Sequence, residues 1–175
     1  SKPLFCQGLK RNCVRGGELL SFNALYETLK NDKCYYKIRM EAAEVLGHSC
    51  MYSAGRNNLA KLLKYTKERY LYEDSKITVK PNNFTDLSEY FVKIAVVTAM
   101  SKITDMHTAR TPEIVMNLLL SLLRDNDNRL NRYSDDVYIY HLLCAVGNIK
   151  CDAKSPIMPQ LKQEVMRWLE HDLVV

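Results

Sequence analysis

The chain has 175 residues, of which 47% are hydrophobic and 26% are charged. It therefore has enough apolar side chains for one folded domain and is too short for two large ones. No apolar run reaches the roughly 18 to 20 residues that span a bilayer, so we expect no membrane contact. The net charge of +5 permits contact with an acidic protein or with nucleic acid without requiring it.

The N-terminal segment, residues 1–16, shows no helical period and contains glycines, so it is predicted to be a loop. It is basic, because it contains Lys10, Arg11 and Arg15. The chain starts at Ser1 rather than at a methionine. We therefore expect it to be a piece of a longer protein.

Residues 17–175 contain few helix breakers, and apolar residues recur there at helical spacing. Helical hairpins are predicted at about 18–47, 55–105 and 112–149, followed by an unpaired last helix at 157–172. Such hairpins bury their apolar faces only against neighbouring hairpins, which is the organisation of an α-solenoid. The sequence thus predicts an all-α solenoid of about three HEAT-like hairpins and a terminal helix.

Two helix boundaries are predicted from residues that commonly cap helices. Gly47 is expected to end the second helix, because glycine readily adopts the left-handed conformation found just after helix C-termini. Thr111 is expected to be the N-cap of the fifth helix, since Pro112 and Glu113 suit a first helical turn. These boundaries fix where the first hairpin ends and the third begins.

The second helix carries a pattern that is typical of the second helix of a HEAT repeat. Asp32 lies at the turn before it and is expected to accept its first backbone N–H groups. Arg39 is expected to donate to a turn carbonyl or to an acid of the neighbouring repeat. The small side chains that follow allow close helix contact. The residues of this signature are Asp32, Arg39, Ala42, Ala43 and Gly47.

The third predicted helix carries a row of lysines, Lys61, Lys64 and Lys67. They lie mainly on its outward side, which is typical of a solvated face. Together with the three cations of residues 1–16, they are also candidates for contact with DNA phosphates or with an acidic partner. Nothing indicates base-specific contacts, so we expect any DNA binding to be weak and sensitive to salt.

The residue types that usually carry catalysis or bind metals are scattered along the chain. The four histidines are far apart and the six cysteines form no C-x-x-C pair, so neither set fits a zinc site. No phosphate-binding loop and no G-x-S-x-G nucleophile motif occurs. We therefore assign no catalytic residue and expect no metal, cofactor or small-molecule substrate.

The most distinctive stretch is a polar run, Asn126–Tyr138, after the fifth predicted helix. Its sequence, NDNRLNRYSDDVY, closely resembles a motif of the TFIID subunit 2 family, the large TBP-associated factors of general transcription. The segment Cys34–Met40 resembles the same family, and so does Asn82–Phe84 followed by Tyr90 and Phe91. Their order and spacing agree as well, so the resemblance covers most of the three predicted hairpins.

The resemblance implies a role in transcription initiation. Members of this family begin with an aminopeptidase-like region that is inactive as a peptidase and continue into HEAT-like repeats, where this chain would lie. The family helps TFIID engage the core promoter and holds other TFIID subunits. The resemblance thus implies a non-catalytic nuclear scaffold, with other TFIID subunits as partners and weak contact with core-promoter DNA at most.

The polar run itself has two interpretations. An Asn-rich turn between helices can satisfy its own backbone, which is a structural role. Alternatively, its arginines contact an acidic partner or DNA phosphates, and the run is a partner-contact surface. The candidate contact residues are Asn126, Asn128, Arg129, Asn131, Arg132 and Tyr133.

Two other functions are compatible with a helical repeat chain. One is the helical C-terminal domain of an M1-type aminopeptidase, whose repeats cover a catalytic site on another domain. An intact zinc motif upstream in the parent protein would favour that function. The other is a generic HEAT-repeat adaptor, which would leave the polar run unexplained.

Overall fold

The computed structural model describes residues 18–50, 56–72 and 78–172. The predicted basic loop, residues 1–16 with Lys10, Arg11 and Arg15, lies outside the described residues. Within them the chain forms seven α-helices, which we number in chain order. They are α1 (Glu18–Lys30), α2 (Tyr36–Ser49), α3 (Arg56–Tyr70), α4 (Leu87–Ser101), α5 (Glu113–Arg124), α6 (Asp136–Gly147) and α7 (Met158–Asp172).

The helices form two layers, as the predicted α-solenoid requires. In one layer α2, α4 and α6 make an unbroken row in which each helix packs on the next, and in the other α1 packs on α3 and α5 on α7. Hairpin partners also pack together, α1 on α2, α3 on α4 and α5 on α6. The all-α solenoid is therefore confirmed. Among the described residues, no helix combines the length and the apolar character that crossing a bilayer needs.

The core lies between the two layers and is mainly aliphatic. Helix α5 contributes most visibly, because Leu119, Leu122 and Leu123 are fully buried. Leu46 of α2 and Leu62 of α3 are equally inaccessible. Burial of one such leucine stabilises the fold by about 1.5–3 kcal/mol, so the apolar stripes seen in the sequence account for how the layers hold together.

Helices α2 and α4 approach closely at Gly47. A Cβ atom at Gly47 would lie only 2.9 Å from the Cβ atom and 2.9 Å from the backbone oxygen of Ala99. The prediction that Gly47 ends the second helix is wrong, because α2 continues to Ser49. Glycine is required there because α4 leaves no room for a side chain.

The predicted N-cap at Thr111 is also wrong. Helix α5 starts at Glu113, and Pro112 in the cap position makes no side-chain capping bond. Thr111 instead faces Lys150, beyond α6: its N–H donates to the Lys150 carbonyl at 2.8 Å, and its hydroxyl accepts from the Lys150 N–H at 3.0 Å. The Thr111 hydroxyl thus ties the segment before α5 to the segment after α6.

Candidate functional site

The polar run lies between α5 and α6, beside the segment that leads into α4. Asn131 makes the link, because its side-chain amide donates to the backbone oxygen of Asn82 at 2.9 Å and to Asn128 Oδ1 at 2.7 Å. Asn128 in turn donates to the backbone oxygen of Tyr133 at 2.8 Å. These amides hold the run in one shape and anchor it to the second hairpin, which is the structural role expected of an Asn-rich turn.

A buried polar centre lies beneath this loop. Lys93 of α4 and Asp135 before α6 are only 4% and 6% exposed, and Asn82 bridges them. Lys93 Nζ donates to Asn82 Oδ1 at 2.7 Å, and Asn82 Nδ2 donates to Asp135 Oδ2 at 3.1 Å. Asn126 donates to the same Asp135 oxygen at 2.8 Å, so Asn126 belongs to the interior.

The ammonium group of Lys93 is held mainly by uncharged groups. Its Nζ lies 4.4 Å from the centre of the Tyr138 ring and 5.5 Å from that of Tyr70, both within cation–π range. Burial lowers the pKa of Lys93 to about 8, and Asp135 opposes this shift. A cation buried without a direct ion pair is uncommon, and it makes this centre sensitive to pH.

The remaining candidates of the polar run point outwards. Leu130 is 98% and Tyr133 63% exposed, and Arg132 is exposed as well. Arg129 is exposed and pairs with Asp127 at 2.7 Å, a bond that holds the pKa of Asp127 at about 2. The six candidates thus divide into three asparagines bonded within the protein and three side chains on its surface, and Leu130 joins the surface group.

Arg39 forms a second buried polar centre, between the first and second hairpins. It is 3% exposed and donates to the Leu29 carbonyl at 2.9 Å and to Glu89 Oε2 of α4 at 2.7 Å. Both kinds of acceptor expected for this arginine are therefore present. The Tyr65 hydroxyl accepts from Arg39 at 2.9 Å and the Tyr70 hydroxyl donates to Glu89 at 2.7 Å, which joins α3 to the same centre.

Asp32 serves this centre and does not cap α2. The cap position of α2 is Tyr35, which makes no side-chain capping bond. Asp32 Oδ1 instead lies 3.1 Å from Arg39 Nη2 and 2.6 Å from Arg69 Nη2. The expectation that Asp32 accepts the first N–H groups of the helix is therefore wrong, because two guanidinium groups engage the carboxylate.

The lysine row is largely engaged by neighbouring side chains. Lys61 donates to Asn23 at 2.7 Å, and Lys64 lies 3.7 Å from Glu68, four residues later. Lys67 is exposed. Among the described residues, no three His, Cys, Asp or Glu side chains are arranged to hold a metal ion.

The sequence patterns did not indicate Lys93, Asn82 or Glu89. Lys93 carried a usable signal, because it interrupts an apolar stretch of α4 between Val92 and Ile94 and buried lysines are rare. Asn82 lies in a segment that resembles the family, but nothing in the sequence marked Asn82 or Glu89 as a link between hairpins. Their partners across the junctions, Asp135 and Arg39, are far away in the chain.

Stacked helical hairpins, joined by buried polar centres and carrying an exposed loop, define a helical repeat protein. A family described as "TAF2-like, TPR repeats" matches residues 19–172. The chain belongs to this family. The family description names TPR repeats where the sequence pattern predicted HEAT-like ones; both are stacked helical hairpins.

Curated relatives agree with the family. TFIID subunit 2 of Danio rerio is 32% identical over 130 residues, which cover 73% of this chain and 11% of the relative. The Schizosaccharomyces pombe protein of that name is 35% identical over 119 residues, 68% of this chain and 10% of the relative. Transcription initiation factor TFIID subunit 2 of Saccharomyces cerevisiae is 26% identical over 159 residues, 89% of this chain and 11% of the relative. The chain spans about a tenth of each relative's length, and the resemblance to the TFIID subunit 2 family is confirmed.

Proposed function

We propose that this chain is a non-catalytic scaffold segment of a TFIID subunit, which acts in the nucleus by holding other TFIID subunits while the complex engages the core promoter. The family match and the relatives named TFIID subunit 2 support this role. They favour it over the aminopeptidase domain and the generic adaptor, because the relatives are named TFIID subunit 2.

One observation supports the polar run as the contact surface. Arg132, Tyr133 and Leu130 lie exposed on a loop that internal bonds of the Asn128 and Asn131 amides hold in place. A preformed loop loses little conformational entropy when a partner binds, so its exposed side chains contribute more fully to affinity. Tyrosine and arginine are also the residue types that dominate the binding energy of protein interfaces.

The test is recovery of TFIID subunits from nuclear extract by the immobilised chain, quantified by mass spectrometry. The double variant R129A/R132A should recover about tenfold less of these subunits than the wild type. The matched control is K102A/K154A, which removes the same charge at two exposed lysines elsewhere and should recover the wild-type amount. Unchanged recovery by R129A/R132A would remove the polar run from the proposal. Failure of the folded wild type to recover any TFIID subunit would contradict the scaffold role.

Contact with DNA is a minor part of the proposal. Lys61, Lys64 and Lys67 share a helix, but two of them already bond within the protein. We expect weak binding to duplex DNA that disappears between about 50 and 200 mM salt. Fluorescence anisotropy compares DNA binding by the wild type with that of the triple alanine variant of these lysines. DNA binding that persists at high salt, or that the substitutions leave unchanged, would exclude the lysine row as the DNA contact.

A further inference from the structure

The outer face of the row α2, α4 and α6 contains an aromatic groove. The groove has a volume of about 370 Å³ and is lined by Tyr36, Lys37, Met40 and Glu41 of α2 and by Phe91 of α4. The rings of Tyr36 and Phe91 lie 6.0 Å apart, inclined at 31°. Phe91 is 38% exposed, so the described residues leave this apolar surface open.

Glu41 is the unusual member of this groove. Its Oε2 atom is buried and accepts no hydrogen bond, although most buried polar atoms in proteins have a partner. Lys37 precedes Glu41 by one turn, but its Nζ lies 6.0 Å from the centre of the Tyr36 ring, and it forms no ion pair with Glu41. The groove therefore combines apolar walls with a carboxylate that has no partner among the described residues.

We propose that this groove binds one Lys or Arg side chain of a partner protein. The aliphatic part of such a side chain would lie along Met40 and Phe91, as long cationic side chains do on apolar surfaces. Its charged end would donate to Glu41 and lie near the Tyr36 ring, so that a charge-assisted hydrogen bond and a cation–π contact act together. An apolar side chain would leave Glu41 unpartnered, and an acidic side chain or a phosphate would be repelled by it.

A chain of ring contacts, which passes through the buried Tyr90, links the groove to the exposed polar run. Ring contacts lead from Phe91 to Tyr90 at 5.7 Å, to Phe84 at 5.1 Å and to Tyr133 at 6.0 Å. That the partner belongs to TFIID rests on the proposed function, whereas the preference of the groove for a basic side chain does not.

Nuclear magnetic resonance tests the groove directly, with acetylated tripeptide amides as probes. The sequences leucine-arginine-leucine and leucine-lysine-leucine carry the cation, and leucine-norleucine-leucine is the uncharged control. Either cationic probe should shift the Met40 methyl signal in a saturable way below about 10 mM. The uncharged probe should bind about tenfold more weakly.

Two variants complete the experiment. Glu41→Gln keeps the shape of the side chain and should abolish the preference for the cationic probes. Glu170→Gln, on the exposed surface of α7, is the matched control and should keep the preference. Equal binding of charged and uncharged probes by the wild type, or the absence of any saturable Met40 shift, would overturn the inference. Either result would leave the recovery of TFIID subunits unaffected, so the two proposals fail separately.

Discussion

The two junctions between hairpins are built from different chemistry. At the first junction, where α2 packs on α4, Arg39 donates directly to Glu89 at 2.7 Å. At the second, where α4 packs on α6, Lys93 reaches Asp135 only through the amide of Asn82. Both cations are almost completely buried, but only the first has a carboxylate in contact.

The difference determines how each junction responds to its surroundings. A guanidinium group stays charged at every accessible pH and presents several donors in a fixed plane, so the first junction is a permanent ion pair. An ammonium group deprotonates more readily when it is buried, so the second junction can lose its charge. The first should therefore provide most of the stability, and the second should respond to pH.

The largest expected effect is that of Arg39→Met, which removes the cation from the first junction. It leaves Glu89 charged and partly buried without its cationic partner, which destabilises a protein by about 3–5 kcal/mol. Arg69→Met is the matched control, since Arg69 contacts the exposed Asp32 at the edge of the same centre, and it should have a smaller effect. Urea unfolding followed by circular dichroism measures both variants. Equal losses of unfolding free energy in the two variants would mean that the buried Arg39–Glu89 pair stabilises the fold no more than the Arg69–Asp32 contact.

Gly47→Ala probes the helix contact at the first junction. The added methyl group would meet the backbone of Ala99, which cannot move without shifting α4, and such overpacking destabilises a core by about 1–3 kcal/mol. Gly147→Ala is the control, because nothing lies within 4 Å of a Cβ atom there and alanine is the better helix former. Thermal unfolding should show a lower Tm for the first variant only; a rise in both would contradict the close contact of α2 and α4.

The second junction predicts a pH dependence. The pKa of Lys93 is about 8 in the folded protein and 10.5 ordinarily, so the unfolded chain binds more protons between these values. Stability should therefore increase as pH rises through 8, by about 1 kcal/mol from pH 8 to pH 9. The Lys93→Met variant should lack this increase.

The comparison of the wild type with Lys93→Met is useful only up to a certain pH, because other buried groups titrate at higher pH. Burial raises the pKa of Cys50 from 9.0 to about 12, and burial likewise raises the pKa of Tyr65 to about 12. Groups of this kind stabilise the fold below their ordinary pKa and lose that contribution as pH rises above it. Unfolding should therefore be compared below pH 9, and parallel slopes for the wild type and the variant would contradict the assignment to Lys93.

The smallest effects are expected within the polar run. Asn131→Ala removes the hydrogen bond to Asn82 that anchors the run to the second junction and a second one to Asn128 within the run, and should destabilise the protein by about 1 kcal/mol. Arg132→Ala should change stability by less than about 0.5 kcal/mol, because the side chain is exposed. Chemical denaturation compares the two, and the reverse order would mean that the exposed arginine, rather than the asparagine, anchors the loop.

The helices themselves were predictable from the sequence. Helices α1 and α7 begin at Glu18 and Met158, within one residue of the starts predicted at 18 and 157. Periodicity works here because each helix buries one face between two layers. Prediction failed at Gly47, which makes room for α4 of the next hairpin, and at Thr111, which bonds to Lys150 at the other end of its own hairpin.

The buried centres could not be predicted for a related reason. The bond from Asn131 to Asn82 joins positions 49 residues apart, and that from Arg39 to Glu89 joins positions 50 apart. The local sequence around one residue of such a pair does not indicate where its partner lies in the chain. The polar run was found by its composition and its resemblance to a family, but its division into internally bonded asparagines and exposed arginines depends on the fold.

The central claim, that the exposed side of the polar run contacts TFIID, is tested most directly by site-specific photocrosslinking. A benzoylphenylalanine replaces Tyr133 and, as control, the exposed Lys102. Tyr133 contacts Phe84 just before α4, whereas Lys102 directly follows α4, about 20 Å along the helix. The chain is incubated in nuclear extract and irradiated, and crosslinked proteins are identified by mass spectrometry. The account predicts crosslinks to a TFIID subunit from position 133 and none from position 102. Crosslinks from both positions alike, or from neither although TFIID subunits are recovered with the chain, would contradict it.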